Sequence, residues 1–146
     1  MYDIDNIGSV AHVIQLAVAP VFLLTAIGTL LSVMTNRLTR VIDRARLLEA
    51  RLESTPPEGI KDIHTHLATL SRRAKLINLA ITLCTITALL VCTVIAILFL
   101  GYFVRFDITI PVALLFILAM LLLVLGLLSF LREIFIATMN LRIGPL

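Results

Sequence analysis

The sequence predicts an all-α integral membrane protein: three transmembrane helices, the first two extended into a cytoplasmic antiparallel, coiled-coil-like hairpin. Three observations predict it. The chain is 60% hydrophobic and 14% charged, with a mean hydropathy of +1.10, whereas soluble domains run near ~45–50% apolar and ~25% charged. The apolar residues are blocked into three runs that lack acidic and basic side chains. A 3-4 spacing of apolar residues also continues from the first run into the charge-dense stretch SVMTNRLTRVIDRARLLEARLE, with no Gly or Pro between the two. At 146 residues the chain is expected to be a single membrane domain.

The first span covers about 9–35, enough for the ~20 apolar residues that cross ~30 Å of hydrocarbon. The opening MYDIDNIG is acidic where a signal peptide needs positive charge, so the span is expected to be retained. Beyond it, Leu31, Met34, Leu38, Val41, Ala45, Leu48 and Leu52 keep a heptad seam. One long helix should therefore leave the membrane and run to about Glu53, with Pro20 as the place for a kink. STPPEG, residues 54–59, stops it with two prolines and a glycine. A second seam follows at Ile60, Ile63, Leu67, Leu70, Ala74 and Ile77. Two heptad helices on a short linker favour an antiparallel pair, which places the hairpin over about 36–75.

The second span covers about 76–104 and continues the hairpin's return helix without a breaker. Tyr102, Phe103 and Phe106 suit the aromatic belt at a membrane surface. Thr109 is expected to cap the third span, about 108–131, with Pro111 in its first turn. A helical extension, about 132–143, should then end at Gly144 and Pro145.

Basic residues orient the chain. Of the 12 Lys and Arg, nine lie between the first two spans: Arg37, Arg40, Arg44, Arg46, Arg51, Lys61, Arg72, Arg73 and Lys75. The positive-inside rule then puts the N-terminus outside and both the loop and the C-terminus in the cytoplasm, against an anionic inner leaflet. Nucleic acid is not an expected partner, because Asp43, Glu49, Glu53, Glu58 and Asp62 are interleaved with the bases. Cys84 and Cys92 are eight residues apart on one helix, about 12 Å along the axis. That is too far for a disulfide within the chain, and they read as small packing residues.

Polar residues within the spans are the candidates for function. Thr25, Thr29, Ser32, Asn36, Thr39 and Asp43 follow a 4-3-4-3-4 spacing on one face of the first helix, with His12 and Gln15 upstream. Asn78, Thr82, Thr85 and Cys92 form a similar stripe on the second. Each stripe reads in two ways: as the lining of a water-filled path, or as helix-packing hydroxyls that let backbones approach and exchange hydrogen bonds. Glu133, an acid near the inner end of the third span, needs a cation. Arg37, Arg40, Arg72 and Arg73 lie level with it, and pairing with one of them would form a structural ion pair or a gate. His12, His64 and His66 carry no metal-site spacing, and no cofactor is implied. The chain has no nucleophile elbow, phosphate loop or paired acids, so an enzyme is not expected.

The stretch VIQLAVAPVFLLTAIGTLLSVMTNRLTRVIDRARLLE, followed by LSRRAKLINLAI, resembles a bacterial family of three-span integral membrane proteins, domain of unknown function 2721 (DUF2721). The most telling residues are NRLTRVIDRARLLE and the paired Arg72 and Arg73. The resemblance implies a bacterial inner-membrane protein of this topology and carries no assigned activity or catalytic residue. Three spans bury little surface alone, so a homo-oligomer is expected. Its expected function is an ion-conducting pore lined by the first-helix stripe. The alternative is a non-catalytic scaffold or regulatory subunit whose basic hairpin docks a cytoplasmic protein partner or anionic lipid through Arg44, Arg46 and Arg51.

Overall fold

The computed structural model describes residues 2–142, with side chains described from 4 to 139. Three helices account for nearly all of it: α1 (Tyr2–Leu52), α2 (Ile60–Val104) and α3 (Thr109–Arg142). Each carries a run long and apolar enough to cross a membrane. α1 has 51 residues, about 75 Å at ~1.5 Å per residue. That exceeds the roughly 40–45 Å of a bilayer with its headgroups, so its charge-dense second half extends past an apolar first half.

α1 starts at Tyr2 and runs helical through Pro20 to Leu52. The missing N–H of Pro20 leaves the Leu16 carbonyl without its usual partner, but the apolar run on both sides keeps the helix going. The stop comes where expected. Ser54 N–H and the Thr55 hydroxyl both donate to the Arg51 carbonyl, closing the last turn. Gly59 N–H donates to Pro56 O at 3.0 Å, and Gly59 O accepts from Ile63 at 3.3 Å as α2 begins.

α2 ends on Arg105, at φ 55°. Its N–H reaches back to Gly101 O at 3.1 Å, the left-handed cap that glycine usually supplies. Gly101 lies close against Ile108, whose side chain would have to shift to admit an added Cβ. The cap of α3 differs from expectation. Thr109 is the first helical residue, not the cap. Its N–H is taken by Asp107 Oδ1 at 3.2 Å, while Ile108 O accepts from Val112 N at 3.1 Å. Hydrogen bonding to Thr109, side chain then backbone, holds the Asp107 carboxyl below its ordinary range. Pro111 falls in the first turn, where an N–H has no intrahelical partner in any case. The expected terminators Gly144 and Pro145 lie outside the described residues.

Every helix contributes to two packed units. The first comprises residues 2–30 with Leu83–Val124. Its core is Ala17, Ile27, Cys84, Val91, Val94, Ala119 and Leu123. Buried within it, the Thr87 hydroxyl contacts Leu83 O at 2.8 Å and Ala119 O at 3.4 Å, linking α2 to α3. Tyr102 adds a contact from its hydroxyl to Asn6 O at 3.3 Å. The second unit comprises Leu31–Thr82 with residues 125–142. Met34 and Val41 on α1, Leu70, Ile77 and Ala80 on α2, and the Glu133 side chain on α3 are its buried residues. Both heptad seams are visible in it: their residues are buried or half-buried while most of their neighbours are exposed.

Candidate functional site

Glu133 is the one acidic side chain buried among the described residues. α3 places it there by a heptad of its own. Ala119, Leu123, Gly126 and Glu133 are its buried positions, and half-buried Val112, Phe116, Phe130 and Ala137 extend the same row at 4-3-4-3-4-3-4 spacing. The carboxylate therefore belongs to an inward row that is otherwise apolar or small.

Two arginines meet it. Arg37 donates from Nε to Oε2 at 3.1 Å and from Nη2 to Oε1 at 3.4 Å, with Nη2 3.0 Å from Oε2. Arg73 Nε donates to Oε1 at 3.1 Å. Both arginines arrive by the same local rule. Arg37 follows buried Met34 by three residues and precedes buried Val41 by four, and Arg73 stands in the same relation to Leu70 and Ile77. Each thus flanks the seam of its own helix, on the side that meets α3. The Arg37 guanidinium also sits 5.6 Å from the centroid of the Phe130 ring, a favourable cation–π distance. No buried side-chain nitrogen or oxygen among the described residues is left without a partner.

This corrects the expected pairing in one respect. Glu133 takes two arginines, not one, because a carboxylate presents two oxygens and can accept a forked guanidinium on one side and a single N–H on the other. Arg40 and Arg72 are exposed and make no ion pair with it. The arrangement ties all three helices of the second unit together and holds a net charge of +1. Burying a lone carboxylate would be costly, and two charge-assisted partners offset that cost.

The polar stripes are placed differently. Gln15, Thr25, Thr29, Ser32, Asn36, Thr39, Asp43, Asn78, Thr82 and Thr85 are all exposed. They lie on outer faces of their helices. Several hydroxyls are satisfied by their own helix. Thr25 donates to Val21 O, Thr29 to Thr25 O, Thr39 to Thr35 O and Thr82 to Asn78 O, the usual back-bond to i−4. Cys84 is a packing residue, whereas Cys92 is exposed. His12, His64 and His66 are also exposed.

Thr87 and Phe130 were not among the candidates, although Thr87 is buried and bonded across helices and Phe130 stacks on Arg37. The signal for Thr87 was present but faint. It lies seven residues after Ala80, on the inward row Ile77, Ala80, Cys84, Thr87, Val91 and Val94.

The sequence pattern and the three apolar helices agree with a match to the family model described as "Protein of unknown function (DUF2721)", over residues 17–143. The chain belongs to the DUF2721 family. No curated protein and no solved structure matches it. In this DUF2721 chain the matched stretch contains Arg37, Arg73 and Glu133, together with both polar stripes except Gln15.

Proposed function

We propose that this DUF2721 protein is a non-enzymatic, homo-oligomeric protein of the bacterial inner membrane whose α1 helices line an ion-conducting path. The observation that carries this reading is the exposed stripe on α1. Thr25, Thr29, Ser32 and Asn36 lie on an outer face of a helix whose run is apolar enough to span a bilayer. Gln15 belongs to the same face, since 15, 29, 36 and 43 differ by multiples of seven. The threonine hydroxyls tolerate lipid because their protons return to the helix. The amides of Gln15 and Asn36 make no such bond among the described residues. Gln15 lies within the span, where an unpaired amide in hydrocarbon costs roughly 2–7 kcal/mol by transfer, and Asn36 stands at the inner end of the span. They are relieved if copies of α1 surround water. Phe22, exposed between Gln15 and Thr29 on that face, supplies an apolar ring of the kind that gates by dewetting.

In this reading residues 36–75 form the cytoplasmic hairpin and Asp43 rings the inner mouth. The test is ion flux in liposomes that contain the purified protein. Conductance that rises with Phe22→Ala and falls with Asn36→Leu is expected. No flux under any voltage, pH or calcium condition, from protein shown to be folded and oligomeric, sinks the pore.

A further inference from the structure

The second unit contains a cleft of about 450 Å³ whose charged walls are Arg37, Arg40, Asp43 and Arg44 from α1 and Arg73 from α2. We infer that this cleft binds a phosphate-bearing anion, either the headgroup of an anionic phospholipid or a free phosphate. The inference is independent of conduction through α1.

The charge balance makes the case. Four guanidinium groups and one carboxylate line the cleft, and Glu133 behind it is bonded to Arg37 and Arg73. Four positive and two negative charges leave a net of +2. The Glu133 cluster accounts for +1 of this, and Arg40 and Arg44 set against Asp43 for the other +1; Arg40 and Arg44 are exposed and have no acidic side chain within ion-pair distance among the described residues. They stand four residues apart, so they share one face of α1, one turn from each other. Glu133 fixes the back of the cleft, because two hydrogen bonds hold Arg37 in place and a third holds Arg73. The front pair is left to close on a ligand. Arginine matches phosphate in forked geometry and remains charged at any working pH. The volume is many times the ~30 Å³ share of a water molecule, so a polyatomic anion fits.

Placement agrees with the chemistry. Arg37, Arg40 and Arg44 are the first three basic residues after the apolar first half of α1. In a cytoplasmic orientation they fall at the level of the anionic inner leaflet. Arg46 and Arg51 lie further along the same helix and outside the cleft, which provides an internal control of equal charge.

The experiment uses the full chain in mild detergent, mixed with phosphatidylglycerol or with phosphatidylcholine, and counts retained lipid by native mass spectrometry. Wild type is expected to retain phosphatidylglycerol at least tenfold better than phosphatidylcholine. The double variant Arg40→Gln/Arg44→Gln should lose at least tenfold of that preference, with helicity unchanged by circular dichroism. Arg46→Gln/Arg51→Gln, with the same loss of charge, should shift it less than twofold, and Arg40→Lys/Arg44→Lys should retain part of it. A second arm titrates inorganic phosphate against bound phosphatidylglycerol. Displacement at millimolar phosphate assigns the cleft to free phosphate as well, and retention assigns it to the headgroup. If both Gln variants lose lipid equally, or neither does, and phosphate binding is also unchanged in Arg40→Gln/Arg44→Gln, the cleft is not the site and the inference fails. Parallel flux measurements on the same proteins report on the pore separately.

Discussion

At the scale of single residues, the strongest constraint is the Glu133 carboxylate. It is 0% exposed and holds Arg37, 34% exposed, and Arg73, 13% exposed. Removing its charge leaves two arginines facing each other without a counterion, while the glutamine keeps the shape. Breaking a buried pair in this way costs about 3–5 kcal/mol. Glu133→Gln should therefore lower stability by about 3 kcal/mol, near the bottom of that range because Arg37 is partly hydrated. Arg73→Gln should cost more than Arg37→Gln, since the more exposed guanidinium regains water more readily. Unfolding of detergent-solubilised protein followed by circular dichroism measures all three. Equal losses for the two arginine variants would show that exposure does not rank these contacts. The sequence pointed to Glu133 because a lone acid at the end of an apolar run demands a cation. It could not choose among Arg37, Arg40, Arg72 and Arg73. That choice depends on which arginine flanks a seam, and the seam contacts that decide it come from three separate helices.

At the scale of the helices, legibility follows contrast. In the charged part of the chain, apolar residues stand out against polar ones. The 3-4 spacing of Leu31 to Leu52 and of Ile60 to Ile77 therefore marks the covered face directly. In α3 nearly every residue is apolar, so its inward heptad from Val112 to Ala137 cannot be told from the lipid-facing rows. Thr87 is hidden for a related reason: its neighbours Thr82 and Thr85 suggest a polar stripe on a different face. Neither cap is legible in the sequence, because Arg105 adopts a left-handed φ that its residue type does not suggest, and because Asp107 accepts from the Thr109 N–H, so that Thr109 is already the first helical residue. The seams make a prediction of their own. Leu70 is 6% exposed and Leu47, off the seam in the same unit, is 66% exposed. Leu70→Ala should lower unfolding stability by about 3 kcal/mol through the cavity it leaves, and Leu47→Ala by less than ~0.5 kcal/mol. The same unfolding assay reads both. Comparable losses would mean that Leu47 is covered in the assembled protein.

At the scale of the whole molecule, orientation is the claim on which both functional proposals rest. Nine basic residues lie between the first two apolar runs, and the electrostatic cost of moving such a loop across the membrane favours the proposed inside location. The cleft of arginines meets an anionic leaflet only in that orientation, and Asp43 rings a cytoplasmic mouth only in that orientation. The 53–59 connection and the 105–108 connection should then label from opposite sides. With Cys92, which is exposed, changed to Ser and buried Cys84 left in place, Glu58→Cys should react with a membrane-impermeant maleimide only in inverted vesicles. Phe106→Cys, at an exposed loop position, should react only in right-side-out cells. The same background tests self-association. If copies of α1 face one another, Asn36→Cys should form a disulfide-linked dimer on mild oxidation, because equivalent residues near a symmetry axis approach each other. Leu128→Cys, on an exposed row of α3, should not. Labelling of Glu58→Cys from outside would reverse the topology and remove the physical basis of the lipid site. A cross-link at Leu128 in place of Asn36 would put the subunit contact on α3 and leave the α1 stripe without the water it needs.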